Sequence, residues 1–206
     1  MLRLIGMPST KTLDELVSRI ASKVEIRIAN NKNTNVMRVL ESLSKINKSI
    51  VIIEDENIYL NDLPRSAPLT RIYGLYDGRV IIAGDLEDIL IHGFKEYLAL
   101  AGKAIDPAVP IRIRQTINSY SKPRIVKLFV VPGIPCLKAM HLLGHLAIVD
   151  SNLNTIIIDV HKLNDYYERY SKGALPLIIV DNSKSKIGAP RDIDELVELV
   201  YYEDQG

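Results

Sequence analysis

Residues 124–149, RIVKLFVVPGIPCLKAMHLLGHLAIV, decide the fold of this chain. The apolar run from Ile125 to Val131 indicates a buried strand, and the Pro-Gly pair that follows it indicates a turn. A helix is expected from about Pro135, so Cys136 lies in its first turn. Unpaired N–H groups and the positive end of the helix dipole at that place favour a thiolate over a thiol. Cys136 is therefore the first candidate for chemistry, and it is the only cysteine in the chain.

Length and charge exclude several classes of protein. The 206 residues suit one large domain or two small ones. The net charge is +1 and no basic run is present, so we expect neither nucleic acid nor an acidic membrane as a partner. No apolar run approaches the roughly 18 residues of a membrane span, and the start of the chain does not resemble a signal peptide. A single cysteine permits no internal disulfide, so we expect a cytoplasmic protein.

The second half of the chain repeats the first. In each half, strand, helix and strand patterns precede an x-Pro turn, and two strands and a final helix follow it. Gly84 and Gly188 each begin the pattern G-x-x-x-D-I, and Ala-Pro-Leu at 67–69 corresponds to Leu-Pro-Leu at 175–177. The matched order of elements predicts an α/β fold with an internal repeat, in which each unit is β-α-β-(x-Pro)-β-β-α with a mixed sheet.

The repeat gives the expected division of the chain. Residues 1–103 are predicted to form the first unit, which has no cysteine, and residues 123–206 the second. Residues 104–122 are predicted to form a connecting helix. Asp106 is expected to be its N-cap and Pro107 its first helical residue, although Pro110 interrupts the first turn.

These features resemble a known fold. A strand that ends in Pro, a helix that opens with Cys, and an x-Pro turn before a hairpin and a final helix resemble the thioredoxin fold. Two such units in tandem resemble the protein disulfide oxidoreductases of thermophilic archaea, which are glutaredoxin-like in each half. The resemblance covers essentially the whole chain and is best over residues 124–199. It implies that the x-Pro bonds at Pro68 and Pro176 are both cis and face the active sites.

The chain departs from that family at both active sites. The second unit of the family reads roughly F-V-T-P-T-C-P-Y-C-P-L-A, and here FVVPGIPCLKA takes its place. Alignment of the helix puts Cys136 on the second, resolving cysteine, with Gly133-Ile134 where the nucleophile should be. The shortened turn could instead put Cys136 in the first position and leave a monothiol site. In the first unit, residues 31–35 replace the active-site turn without any cysteine.

The missing cysteines determine the expected function. A dithiol enzyme needs one thiolate to attack and a second thiol to resolve the mixed disulfide. We therefore predict a non-catalytic binding or adaptor protein that pairs its x-Pro groove with an extended peptide of an unknown protein partner. One alternative is a monothiol, glutaredoxin-like thiol–disulfide oxidoreductase in which Cys136 is catalytic and an external thiol completes the cycle. Another is a scaffold or homodimer, and no cofactor is expected. The predicted groove residues are Ala67, Pro68, Pro132, Gly133, Ile134, Pro135, Leu175 and Pro176.

Ordinary packing accounts for the remaining candidates. We expect Ile134 and Pro135 to cover Cys136, so that burial raises the pKa of the thiol more than the helix N-terminus lowers it. His141 and His145 are four residues apart, but the zincin motif needs Glu after the first His, and no third ligand is evident. We therefore predict no metal site. The tyrosines at 166, 167 and 170 are expected to pack a short helix against the sheet.

Overall fold

A computed structural model describes residues 10–32, 34–170 and 173–202 of the chain. No helix in these ranges is long and apolar enough to cross a membrane. The elements are α1 (Thr10–Ser18), β1 (Val24–Ala29), α2 (Asn35–Ile46), β2 (Ile50–Glu54), β3 (Leu69–Ile72), β4 (Val80–Ala83), α3 (Leu90–Ala101), α4 (Ile111–Ile117), β5 (Arg124–Val130), α5 (Ile134–Val149), β6 (Leu153–Asp159), α6 (Asn164–Tyr167), β7 (Leu177–Val180), β8 (Lys184–Ile187) and α7 (Ile193–Tyr201).

The strands of the described residues form one mixed sheet in the order β2-β1-β3-β4-β6-β5-β7-β8. In each half a parallel pair, β1 with β2 or β5 with β6, is followed by two antiparallel strands. The predicted internal repeat is thereby confirmed. The two sheets expected from the sequence are joined into one, because β4 and β6 pair in parallel. This pairing satisfies main-chain groups that would otherwise lie at an open sheet edge.

The two faces of the sheet are covered unequally. The long helices α1, α2, α3, α5 and α7 contribute to the larger apolar core on one face. The other face carries a smaller core, to which the loop between β2 and β3 contributes Ile58 and Leu63 and the short helix α6 contributes Tyr166 and Tyr167. In β1 the alternation follows this division, because Val24, Ile26 and Ile28 are buried while the charged residues between them face the thinner side.

The connecting helix is shorter than expected. α4 begins at Ile111 with Pro110 as its N-cap, so the predicted start at Asp106 and Pro107 is wrong. Proline disfavours helical backbone in the residue before it, and Pro110 therefore excludes Val109 from the helix. Near the other end of the chain, Asp192 is the N-cap of α7, and its carboxylate accepts a hydrogen bond of 3.0 Å from the Glu195 N–H.

The two halves share one core through α3 and α5. The Tyr97 hydroxyl donates to the Met140 carbonyl at 2.7 Å, and the Tyr76 hydroxyl donates to the Gly144 carbonyl at 3.1 Å. A Cβ atom on Gly144 would overlap the ring of Tyr97. Glycine at this position therefore allows the two helices to approach closely enough for the rings to fill the space between them.

Candidate functional site

The second x-Pro turn lies where β5 ends and β7 begins. Phe129 pairs with Leu177 in the antiparallel ladder, so the half-buried Leu175 lies beside the chain that leaves β5. The Leu175–Pro176 bond is cis, as expected, and the Pro176 carbonyl accepts a hydrogen bond of 2.8 Å from the Gly188 N–H. Neither the N–H nor the C=O group of Leu175 has a hydrogen-bond partner in the part of the chain that the structure describes.

The start of α5 presents apolar side chains beside this turn. Ile134 is 52% exposed, and Pro135 is exposed as well. The structure thus brings Pro132 to Pro135 and Leu175 with Pro176 to the same end of the sheet. We call residues 131–135 together with residues 174–176 the second-half groove.

Cys136 lies beneath the opening of α5 rather than on its surface. Its side chain is 2% exposed and belongs to the larger apolar core. Burial raises the pKa of the Cys136 thiol, and a backbone hydrogen bond with Val131 opposes the shift without cancelling it. The expectation that the sulfur is hidden from water is therefore confirmed. A buried, protonated thiol is a poor nucleophile.

The first x-Pro turn occupies the equivalent place in its own half. The Pro68 carbonyl accepts a hydrogen bond of 2.9 Å from the Gly84 N–H, which matches the bond between Pro176 and Gly188. The expectation that both x-Pro bonds are cis is wrong, because Ala67–Pro68 is trans. Trans is the lower-energy form of such a bond. The two turns do not form a single groove, since β4, β6 and β5 separate β3 from β7.

Asparagine side chains form hydrogen bonds with the main chain of the first x-Pro turn. Asn30 donates from its side-chain amide to the Arg65 carbonyl at 2.8 Å and to the Ala67 carbonyl at 3.2 Å. The Ala67 N–H donates to the Pro64 carbonyl at 2.9 Å, so both main-chain groups of Ala67 are satisfied within the chain. The buried Asn31 amide binds the carbonyls on either side of this region, Ala29 and Leu69. The sequence signal for this network is the polar run NNKNTN at residues 30–35, in which Thr34 caps α2.

A cavity of about 300 Å³ lies beside that capping loop, at the carboxyl ends of β1 and β2. Its wall includes Lys32, Glu54 and Glu56, which carry charges of both signs. This cavity is in the first half and does not include the predicted groove residues.

The chain is similar to known proteins in structure rather than in sequence. No protein-family model and no curated protein matches the chain. The alkylhydroperoxide reductase protein AhpF of Enterococcus faecalis superposes with a TM-score of 0.76 at 11% identity, over 91% of this chain and 95% of that one. A protein disulfide oxidoreductase from Aeropyrum pernix gives 0.70 at 12% identity, over 92% and 89%. Sso1120 from Sulfolobus solfataricus gives 0.64 at 15% identity, over 87% and 98%.

The chain has a tandem thioredoxin-like fold. The order of its elements and its similarity to these structures agree with the fold class predicted from the sequence. At identities of 11–15% the similarity concerns the fold alone.

A buried polar cluster joins the two thioredoxin-like halves. Glu96 on α3 accepts hydrogen bonds from His141 at 2.9 Å and His145 at 3.1 Å, both to the same carboxylate oxygen. Burial would raise the pKa of Glu96, but the two histidines outweigh it and hold the pKa at about 2. Sequence reasoning missed Glu96, because this third residue lies 45 positions from the nearer histidine.

The hydrogen bonds argue against a metal site at this cluster, although the three ligand atoms lie within 4.8 Å of one another. The Ala108 N–H donates to His145 Nδ1 at 2.8 Å, so this nitrogen carries no proton. The proton of the neutral ring is then on Nε2, the atom that faces Glu96. A metal-bound histidine normally donates from its second nitrogen, which is the reverse of this arrangement. The cluster is instead a set of hydrogen bonds that connects α3 of the first half with α5 of the second.

The tyrosines of the second half pack against the sheet, as expected. Tyr166 and Tyr167 are 3% and 6% exposed, and both rings lie near Phe129. Sequence reasoning missed Lys127 among them. Its ammonium group forms an ion pair of 2.6 Å with Asp62, which belongs to the loop between β2 and β3. The cluster therefore fastens this loop of the first half to the second.

Proposed function

We propose that the protein is a non-catalytic, thioredoxin-like binding protein that takes up an extended peptide in the second-half groove. The observation that carries the proposal is the unpaired main chain of Leu175, at the same end of the sheet as the exposed side chain of Ile134. Main-chain hydrogen bonds to an added strand give affinity, and contacts with alternate side chains give specificity. The groove offers both, because a peptide paired with Leu175 would pass the apolar start of α5.

The state of the thiol supports binding over catalysis. Cys136 is 2% exposed, its pKa is raised by burial, and the chain has no second cysteine to resolve a mixed disulfide. These properties count against the monothiol enzyme, which would need an accessible thiolate.

Selection from a random peptide display library tests the proposal. Peptides that bind should slow amide hydrogen exchange in residues 131–135 and 173–177, because they cover the main chain there. Ile134→Glu should weaken the affinity for a selected peptide at least tenfold, since a charge replaces an apolar contact. Ile111→Glu is the matched control, because Ile111 is 74% exposed on α4, outside the groove, and the affinity should stay unchanged.

Three outcomes would contradict the proposal. Protection confined to the first-half turn around Ala67 would place binding in the wrong half. Equal effects of the two glutamate substitutions would show that Ile134 is not part of the site. Loss of function on Cys136→Ala, together with disulfide reduction by the wild-type protein in the presence of glutathione, would favour the monothiol enzyme.

A further inference from the structure

An arginine without a partner lies on the thinly covered face of the sheet. Arg71 stands in the middle of β3, directly opposite Arg27 on β1 and Ile81 on β4. Leu69, two positions earlier on the same strand, belongs to the smaller core, so Arg71 points to that face of the sheet. The side chain is half-buried, and its Nε atom is fully buried with no hydrogen-bond partner.

Arg71 belongs to a row of side chains that crosses this face of the sheet, one from each neighbouring strand. The other cations of the row, Arg27 and Lys127, are paired. Arg27 binds Glu25 at 2.8 Å and Asp55 at 3.3 Å, and it lies 4.8 Å from the centre of the Tyr73 ring. Lys127, further along the row, binds Asp62 at 2.6 Å. Of these three cations, only Arg71 has a side chain that makes no hydrogen bond or ion pair with the residues that the structure describes.

A buried Nε atom without a hydrogen-bond partner needs an explanation. Buried polar atoms nearly always have a partner, and those that lack one often mark a site for a water, an ion or a ligand. Glu25 and Asp55, which pair with Arg27 on the neighbouring strand, form no ion pair with Arg71 among the described residues.

We propose that Arg71 binds a carboxylate. A guanidinium offers two parallel N–H donors that match the two oxygens of a carboxylate. Glu25 and Asp55 stand on the Arg27 side of the site and would repel a doubly charged phosphate more strongly than a singly charged acid. Ile53, which pairs with Arg27 on the next strand and is 37% exposed, supplies apolar surface near the site, so an acid with an apolar substituent fits best. This site is separate from the second-half groove and does not depend on it.

Thermal unfolding with small anions tests the assignment. Acetate at constant ionic strength should raise the Tm of the wild-type protein in a saturable way, whereas inorganic phosphate should raise it less. Arg71→Met should abolish the acetate effect, and it should raise the Tm without ligand by about 2–4 °C because it removes an unpaired charge. Arg71→Lys should retain only part of the acetate effect, since lysine lacks the two-pronged geometry. Arg19→Met, at an exposed arginine, is the control and should change neither quantity.

Two tripeptides distinguish a protein-borne carboxylate from a free small acid. Acetyl-Val-Asp-Val-amide should bind more tightly than acetate and lose at least tenfold in affinity when Asp is replaced by Asn. Equal affinity of acetate and the Asp peptide would assign the site to small acids. An acetate effect that persists in Arg71→Met, or a stronger response to phosphate, would overturn the proposal. A crystal structure in which Arg71 pairs with Asp55 would also overturn it.

Discussion

The two x-Pro turns occupy the same place in the repeat but differ in what they leave open. In both, the proline carbonyl accepts a hydrogen bond from the first glycine of the G-x-x-x-D-I pattern, at 2.9 Å for Pro68 and 2.8 Å for Pro176. The first turn then satisfies the main chain of Ala67 internally, whereas the second leaves that of Leu175 unpaired. Both halves therefore have the bond that holds the turn, and only the second has the unpaired main chain on which the proposed peptide binding depends.

In the first half, asparagine side chains hold the x-Pro turn in place. Asn30 and Asn31 bind the chain on both sides of the x-Pro turn, and Thr34 then caps α2. Side chains from the loop after β1 thus take the hydrogen bonds that an external strand could have made. The two halves therefore differ in what binds the main-chain groups before the x-Pro bond. In the first half the chain itself supplies the partners, and in the second the described residues supply none.

The largest change in unfolding free energy is expected when the glycines of the two G-x-x-x-D-I patterns, Gly84 and Gly188, are replaced by alanine. Gly84 has φ of +107° and Gly188 has φ of +89°, so alanine is strained at both. A Cβ at position 84 would lie 2.5 Å from Cβ of the buried Asp159, while nothing lies within 4 Å at position 188. Gly84→Ala should cost about 3–5 kcal/mol of unfolding free energy and Gly188→Ala about 1–2 kcal/mol, measured by urea denaturation.

Gly133→Ala provides the control for these two variants. Its φ is 170°, which any residue adopts, and the nearest atoms to an added Cβ are 3.9 Å away. Its unfolding free energy should stay close to that of the wild type. If Gly188→Ala were as destabilising as Gly84→Ala, the contact with Asp159 would not be what separates the two halves.

Local patterns revealed the repeat, whereas long-range contacts stayed hidden. The glycine and proline positions and the apolar runs are short-range signals, and they gave the element order and the burial of Cys136. The merging of the sheets depends on main-chain pairing of β4 with β6, which side-chain patterns do not encode. Glu96 is far in sequence from the histidines that it binds. The trans bond before Pro68 could not be foreseen, because the resemblance to the family treated both turns alike.

A smaller effect is expected from removal of the amide that closes the first turn. Asn30 has φ of 55°, so Asn30→Gly removes two side-chain hydrogen bonds without adding backbone strain. The unfolding free energy should fall by about 1–2 kcal/mol, and amide exchange in residues 65–69 should accelerate.

Asn182 offers a matched control in the second half. It has φ of 56°, is exposed, and makes no side-chain hydrogen bond with the described residues. Asn182→Gly should therefore be neutral or slightly stabilising. Equal losses in the two variants would mean that the Asn30 side chain does not hold the first turn, and the contrast between the two halves would fail.

The smallest expected effect is the pH dependence of the unfolding free energy that the Cys136 thiol of the second half causes. Burial raises the pKa of the folded thiol, so the stabilisation linked to its proton is fully present below the unfolded pKa of about 8.5. As pH rises from there through the folded pKa, the unfolded chain loses the proton first and this stabilisation is lost. The difference in unfolding free energy between the wild type and Cys136→Ala should therefore be constant from pH 6 to about 8 and shrink above about 8.5.

Iodoacetamide labelling of the native protein measures the same property directly. Labelling should be slow at neutral pH, because the side chain is 2% exposed and protonated, and it should become rapid only after unfolding in urea. Rapid labelling with a midpoint near pH 6, together with a stability difference that grows as pH rises, would reveal an accessible thiolate at the start of α5. The second half would then differ from the first by retained chemistry as well as by an open groove.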